Sequence, residues 1–165
     1  MSKLSENESK MTVPNIENHE TLFRLLCSPQ FYNETLDIVN PDAFDLRMLP
    51  KNKPEDYVSL GRKIYLDTEE EFNKYIRLGH RIKWPAFNPP NQYTAFGEFN
   101  CEDAREVHQM VDIKTLEKGP AWHVGLYYTK PNGEHYAGPL PKTDPEILDV
   151  LSSLADLLTV TRIKV

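Results

Sequence analysis

The sequence is short of the residues that staple, span or cradle. Cysteine occurs twice in 165 residues, at Cys27 and Cys101. That is too few for a disulfide scaffold and suits a reducing compartment. Glycine occurs seven times, always singly, so there is no glycine-rich loop for a phosphate. No run approaches the roughly 20 apolar residues of a membrane span. The most apolar stretch, Ile147 to Val160, is broken by Asp149, Ser152, Ser153 and Asp156. The opening MSKLSENESKMTVP is polar and lacks the apolar centre of a secretory signal. Positive charge is also short: 19 Lys and Arg against 25 Asp and Glu leave a net charge of −6. Such a chain is not a general binder of nucleic acid or anionic membranes through its overall field. Cys-x-x-Cys, His-Glu-x-x-His, acidic calcium-loop and Gly-x-Ser-x-Gly patterns are all missing. The expectations are a soluble cytoplasmic protein with no membrane contact, no metal and no cofactor.

What is present is a core. Apolar residues make up 39% of the chain and aromatic residues 10%, enough for one domain of this length. Residues 1–17 are rich in Ser, Asn, Glu and Lys and read as a disordered N-terminal arm; 18–165 read as a single domain. Thr21 to Cys27 reads as a buried strand, closed by Pro29. Residues 31–53 read as an irregular loop pinned by Phe31, Tyr32 and Phe44, with a short helix at Pro41–Phe44. Strands are expected at Tyr57–Leu60 and Ile64–Leu66. A helix then opens on the Thr68-Glu69-Glu70-Glu71 capping box and ends at Gly79. Tyr93–Phe99 reads as a strand with a close approach at Gly97. Asn100 caps a helix from Cys101 to about Gln109, with Ala104, Val107 and Val111 on its apolar face.

The strongest local pattern follows. Trp122–Thr129 alternates, Lys130-Pro131-Asn132-Gly133 is turn chemistry, and Glu134–Gly138 returns as the second arm of a hairpin. Thr143, Asp144, Pro145 and Glu146 start a last helix, and Thr159–Val165 alternates as a closing strand. Turn signals outnumber long crossovers. The expected fold is therefore α+β, with a mixed, mainly antiparallel sheet and about three helices packed on it.

Pairing Thr129 with His135 sorts the hairpin into two faces. Trp122, Val124, Leu126, Tyr128 and Tyr136 fall on the core side. His123, Gly125, Tyr127, Thr129, His135 and Ala137 fall on the other, which is either a solvated face or a binding floor that Gly125 opens to close approach. His123 and His135 stand on the order of 20 Å apart at strand rise, too far to share a metal. Cys101, at a helix start, is a candidate nucleophile whose thiol the helix dipole would acidify. Between positions 77 and 93, Arg77, His80, Arg81 and Lys83 interleave with Trp84, Phe87 and Tyr93. That composition suits single-stranded nucleic acid through phosphate contact and stacking, although four acids precede it at Asp67, Glu69, Glu70 and Glu71.

Thr21-Leu22-Phe23-Arg24-Leu25 with Pro29-x-Phe31, and Gly61-Arg62 with Ile64-Tyr65-Leu66-Asp67-Thr68, resemble two segments of RES-domain toxins over less than a third of the chain. The layout also resembles small bacterial proteins of unassigned activity that begin on a Leu-Tyr-Arg-type strand. The first resemblance implies an ADP-ribosyltransferase-like fold that consumes NAD. Arg24 would clamp pyrophosphate, Tyr65 would stack on nicotinamide, and Arg62 would join the pocket. The resemblance itself fixes no catalytic carboxylate; Glu98 and Glu134 are the candidates because they fall on expected strands. Taken together, the sequence favours a non-enzymatic interaction or accessory module, of immunity or defence type, whose partner is another protein. Its binding residues would be His123, Tyr127, His135 and Arg62. The alternatives are the NAD-consuming enzyme and the single-stranded nucleic-acid binder. Oligomeric state is left open.

Overall fold

The computed structural model describes residues 14–28, 30–80 and 93–163. It is an α+β fold with a mainly antiparallel six-stranded sheet and, among the described residues, three α-helices. In chain order the elements are β1 (Thr21–Cys27), β2 (Tyr32–Asn33), β3 (Ile38–Val39), β4 (Met48–Leu49), β5 (Lys53–Pro54) and β6 (Val58–Arg62). Next come α1 (Glu69–His80), β7 (Tyr93–Asn100), α2 (Cys101–Val107), β8 (Val111–Thr115), β9 (His123–Tyr128), α3 (Pro145–Asp156) and β10 (Thr159–Arg162). The sheet order is β10-β7-β1-β6-β9-β8. The β2–β3 and β4–β5 pairs are separate small ribbons.

Alternation along the central strands divides the sheet into two faces. One carries Leu22, Arg24 and Leu26 of β1, Val58 and Leu60 of β6, Val124, Leu126 and Tyr128 of β9, and Val111 and Ile113 of β8, all buried. Helices α2 and α3 and the 3-10 turn Pro41–Phe44 cover this face, with Phe44 edge-on to Phe99 at 5.8 Å. The other face carries Phe23, Phe96, Gly61, Ser59, His123, Gly125 and Tyr127. Helix α1 covers only its β7–β1–β6 side. Phe72 and Tyr75 bring their rings to 5.6 and 6.5 Å from Phe23, and Phe72 lies 4.8 Å from Phe96. Each such buried ring contributes about 2 kcal/mol of apolar transfer. Gly61 is the reason α1 can sit so low. A Cβ there would come 2.8 Å from Leu66 and 3.1 Å from Tyr75.

Helix starts follow the local chemistry. Thr68 Oγ1 accepts from Glu71 N–H, Asn100 Oδ1 from Glu102 and Asp103, and Asp144 Oδ1 from Glu146. Five expectations need correction. Residues 63–65 form a 3-10 turn rather than a strand, because β6 makes its last bond at Arg62, to Trp122, and the chain leaves the sheet so that Leu66 can fill the place above Gly61. Helix α2 stops at Val107, and Val111–Thr115 is an edge strand. His108 is extended and its Nδ1 accepts from Met110 N–H, which reverses the chain. The returning arm of the hairpin keeps a single bridge, Thr129 to His135. Both edges of β9 are already occupied, by β6 and β8, so that arm has no place in the sheet. Trp122 turns away from Val124's face; its ring lies 4.9 Å from Tyr75. Helix α1 runs through Gly79 to His80.

The segment before β1 is seated on the body. Arg62, 1% exposed, bonds Glu20 at 2.8 and 2.7 Å and the Pro14 carbonyl at 2.8 Å. Ile16 is buried, and Arg105 reaches Asn18 at 2.7 Å. So residues 14–17, read from sequence as part of the arm, pack here, while residues 1–13 lie outside the described residues.

Burial pushes the Glu20 carboxyl up. The Arg62 hydrogen bond, the Glu17 amide and the Arg62 charge outweigh it, and the net direction is below the ordinary 4.5. Replacing Glu20 by Ala strands a buried guanidinium and should cost about 3 kcal/mol in urea unfolding at neutral pH. A lowered folded pKa stabilises above the unfolded value and loses that contribution as pH falls through the folded one. The difference between wild type and Glu20→Ala should therefore shrink as pH falls below 4.5 and through the lowered folded value. Arg24→Met removes the donor to the Ala43 carbonyl. Urea unfolding should register a loss of about 2–4 kcal/mol.

Candidate functional site

The half of the sheet face that α1 leaves uncovered gathers polar and aromatic side chains from four segments. Pairing of Ser59 with Gly125 and Gly61 with His123 places Ser59 and His123 side by side on adjacent strands. Ser59 Oγ and His123 Nε2 are 2.7 Å apart. Tyr57, just before β6, lies 6.0 Å from the His123 ring and 5.5 Å from Tyr127. Trp122 closes the other side of the imidazole at 5.2 Å. Beyond Tyr127, His135 stacks at 4.8 Å, and the Lys114 ammonium sits 4.7 Å from the Tyr127 ring centre. The result is a row of rings, Trp122, His123, Tyr57, Tyr127 and His135, each half-buried.

Gly125 does open this face, and the chain itself fills the opening. A Cβ on Gly125 would meet the Tyr57 and Tyr127 rings at 3.0 Å. The floor expected from sequence is thus paved by Tyr57, a residue read there only as part of a strand. Burial lowers the His123 pKa below its ordinary 6.5, so its imidazole is neutral at pH 7. Burial also raises the Tyr57 and Tyr127 hydroxyls, helped at both by the Asp56 charge. The site presents two imidazoles, that of His123 neutral, with a serine hydroxyl, two phenols, an indole and one lysine.

The other candidates lie apart from it. Arg24 is 3% exposed on the opposite face, where its guanidinium bonds the Ala43 and Ser59 carbonyls and lies 5.0 Å from the Phe31 ring centre. Arg62 is engaged with Glu20, and its guanidinium carbon is 5.1 Å from the Tyr65 ring centre. Glu98 pairs with Lys63 at 3.2 Å on the α1 side of the sheet. Glu134 is exposed, in the turn that follows the far end of β9. Arg62 and Tyr65 meet, but Arg24, Tyr65, Glu98 and Glu134 do not share one cleft. Cys101 is buried, and burial pushes its thiol up rather than down. The basic and aromatic residues at 81–92 lie outside the described residues. Among the described residues no three His, Cys, Asp or Glu side chains are placed to hold a metal, and no helix is long and apolar enough to cross a membrane.

One cleft, of about 430 Å³, opens elsewhere, between the β9 turn and the start of α3. Its charged groups each have a neighbour. His108 Nε2 is 2.5 Å from Glu146, Asp144 caps α3, and Lys130 lies over the Tyr136 ring.

Proton NMR of the imidazole signals checks the electrostatics of the site. His123 should titrate below 6.5, and unfolding in urea should return it to the ordinary value. Compared with protein-family models, with curated proteins and with solved structures, the chain matches none of them.

Proposed function

We propose that this chain is a protein-interaction module of accessory type, belonging to an immunity or defence system, and that it engages its protein partner through the uncovered half of the sheet. The observation that carries this reading is the unbroken row of half-buried rings from Trp122 to His135, with ring-to-ring spacings of 4.8–6.0 Å and Lys114 beside it. Aromatic side chains of this kind dominate the energetics of protein interfaces. Tyrosine in particular offers a large rigid surface at the entropy of two side-chain torsions. Here the rings are prepacked against each other, so little ordering remains to be done on binding. Exposed Asp56 and Lys114, with half-exposed Asp112, surround the row with charge, as a polar rim does.

The test is retention of a stoichiometric protein from an extract of the native host by the tagged full-length chain. Tyr127→Ala and His135→Ala should each weaken that retention by about tenfold or more, with both variants still folded by urea titration. Equal retention by wild type and both variants, or no stoichiometric protein at all, would retire the reading.

A further inference from the structure

We propose that Ser59 is a nucleophile whose hydroxyl proton His123 accepts, making this pair a site of acyl transfer from activated esters. The pair joins two residues 64 positions apart at 2.7 Å, heavy atom to heavy atom, the reach that general-base activation needs. With its proton on Nδ1, the imidazole presents the Nε2 lone pair to the hydroxyl. Burial keeps that lone pair unprotonated at neutral pH.

Both partners are held in place. Trp122 and Tyr57 flank the imidazole at 5.2 and 6.0 Å. Arg24 Nη1 donates to the Ser59 carbonyl from the opposite face at 3.2 Å. A preset pair loses little entropy on the way to reaction. Ser59 is half-buried rather than sealed, on the side of the sheet that α1 leaves uncovered. The Tyr57 and Tyr127 rings beside it suit a planar aryl ester. Among the described residues no carboxylate bonds His123 Nδ1, so the arrangement is a dyad and its turnover is slow.

The step balances within these groups. Ser59 Oγ bonds to the acyl carbon while its proton passes to Nε2. The ester C–O bond breaks, and the departing aryloxide takes the proton from Nε2. Water, deprotonated by the same nitrogen, then cleaves the acyl-serine to carboxylic acid and free hydroxyl.

The experiment uses a fluorophosphonate on the full-length chain at neutral pH, read by intact mass and peptide mapping. One phosphonyl adduct is expected, with loss of fluoride, on the peptide that contains Ser59. Ser59→Ala should abolish it, and His123→Gln should slow it about 100-fold. A folded wild type without an adduct at Ser59 overturns the proposal, as does an equal labelling rate in His123→Gln. Should that variant fail to fold, Ser59→Cys decides. Its thiol beside His123 should react with iodoacetamide faster than free cysteine, while the buried Cys27 and Cys101 stay unlabelled; a rate no faster than free cysteine overturns the proposal. Partner retention through Tyr127 and His135 is a separate readout, so either result stands without the other.

Discussion

Two neighbouring backbone carbonyls, those of Ala43 and Phe44, are buried where the chain is neither helix interior nor sheet, and each must find a donor. The sheet supplies both. Arg24 Nε donates to Ala43 at 2.8 Å, and the Tyr128 hydroxyl donates to Phe44. Burial holds that phenol well above its ordinary range, so it remains a donor. Asp45 completes the anchor. Its carboxylate accepts from the Leu46 and Leu140 amides and pairs with Lys142 at 2.8 Å. An irregular loop can be a lid on a core only if its polar groups are answered this way. Without these side chains the 31–54 segment would have to stay in water, and α3 would lose the turn it packs on.

The same guanidinium reaches through to the other side of the fold. Arg24 also bonds the Ser59 carbonyl, which ties the position of β6 to the loop beneath it. Above, α1 covers the sheet only as far as Gly61, where the missing Cβ lets Leu66 and Tyr75 descend. The side chains of β9 beyond that point have no helix over them. They cover each other instead, with Tyr57 lying in the space that Gly125 leaves. A buried anchor on one face and a half-empty face on the other are thus two consequences of one loop and one helix.

The sheet's outer strand on the β9 side, β8, has one of its carbonyls taken up by a side chain. Arg105 of α2 donates to the outward carbonyl of Ile113 at 2.9 Å and also holds Asn18. An edge blocked by a side chain resists strand addition. Together with the Arg62–Glu20 pair, it binds the segment before β1 across the top of the sheet.

The α+β class, the three helix starts, the Thr129–His135 register and the placing of His123, Gly125, Tyr127 and His135 on one face were legible because each depends on residues within a few positions: a cap, a turn, an alternation. Residues 111–115 were not. Five residues, Val-Asp-Ile-Lys-Thr, alternate as well as a strand does, but Val111 also continues the apolar face of α2, and only the open edge of β9 decided between them. The second hairpin arm lost its strand for the converse reason, since β6 and β8 had already taken both sides of β9. Arg24 could not be separated by sequence from a ligand-clamping arginine, because its partners, Ala43 and Ser59, are 19 and 35 positions away. Ser59 carried no signal at all; a lone serine in a strand becomes noteworthy only when a histidine 64 residues later is set beside it. Local sequence thus determined where helices begin and turns fall. Which strands pair, which carbonyls need a donor and which side chains meet were decided by competition for sheet edges and buried volume, and that competition exists only once the chain has folded.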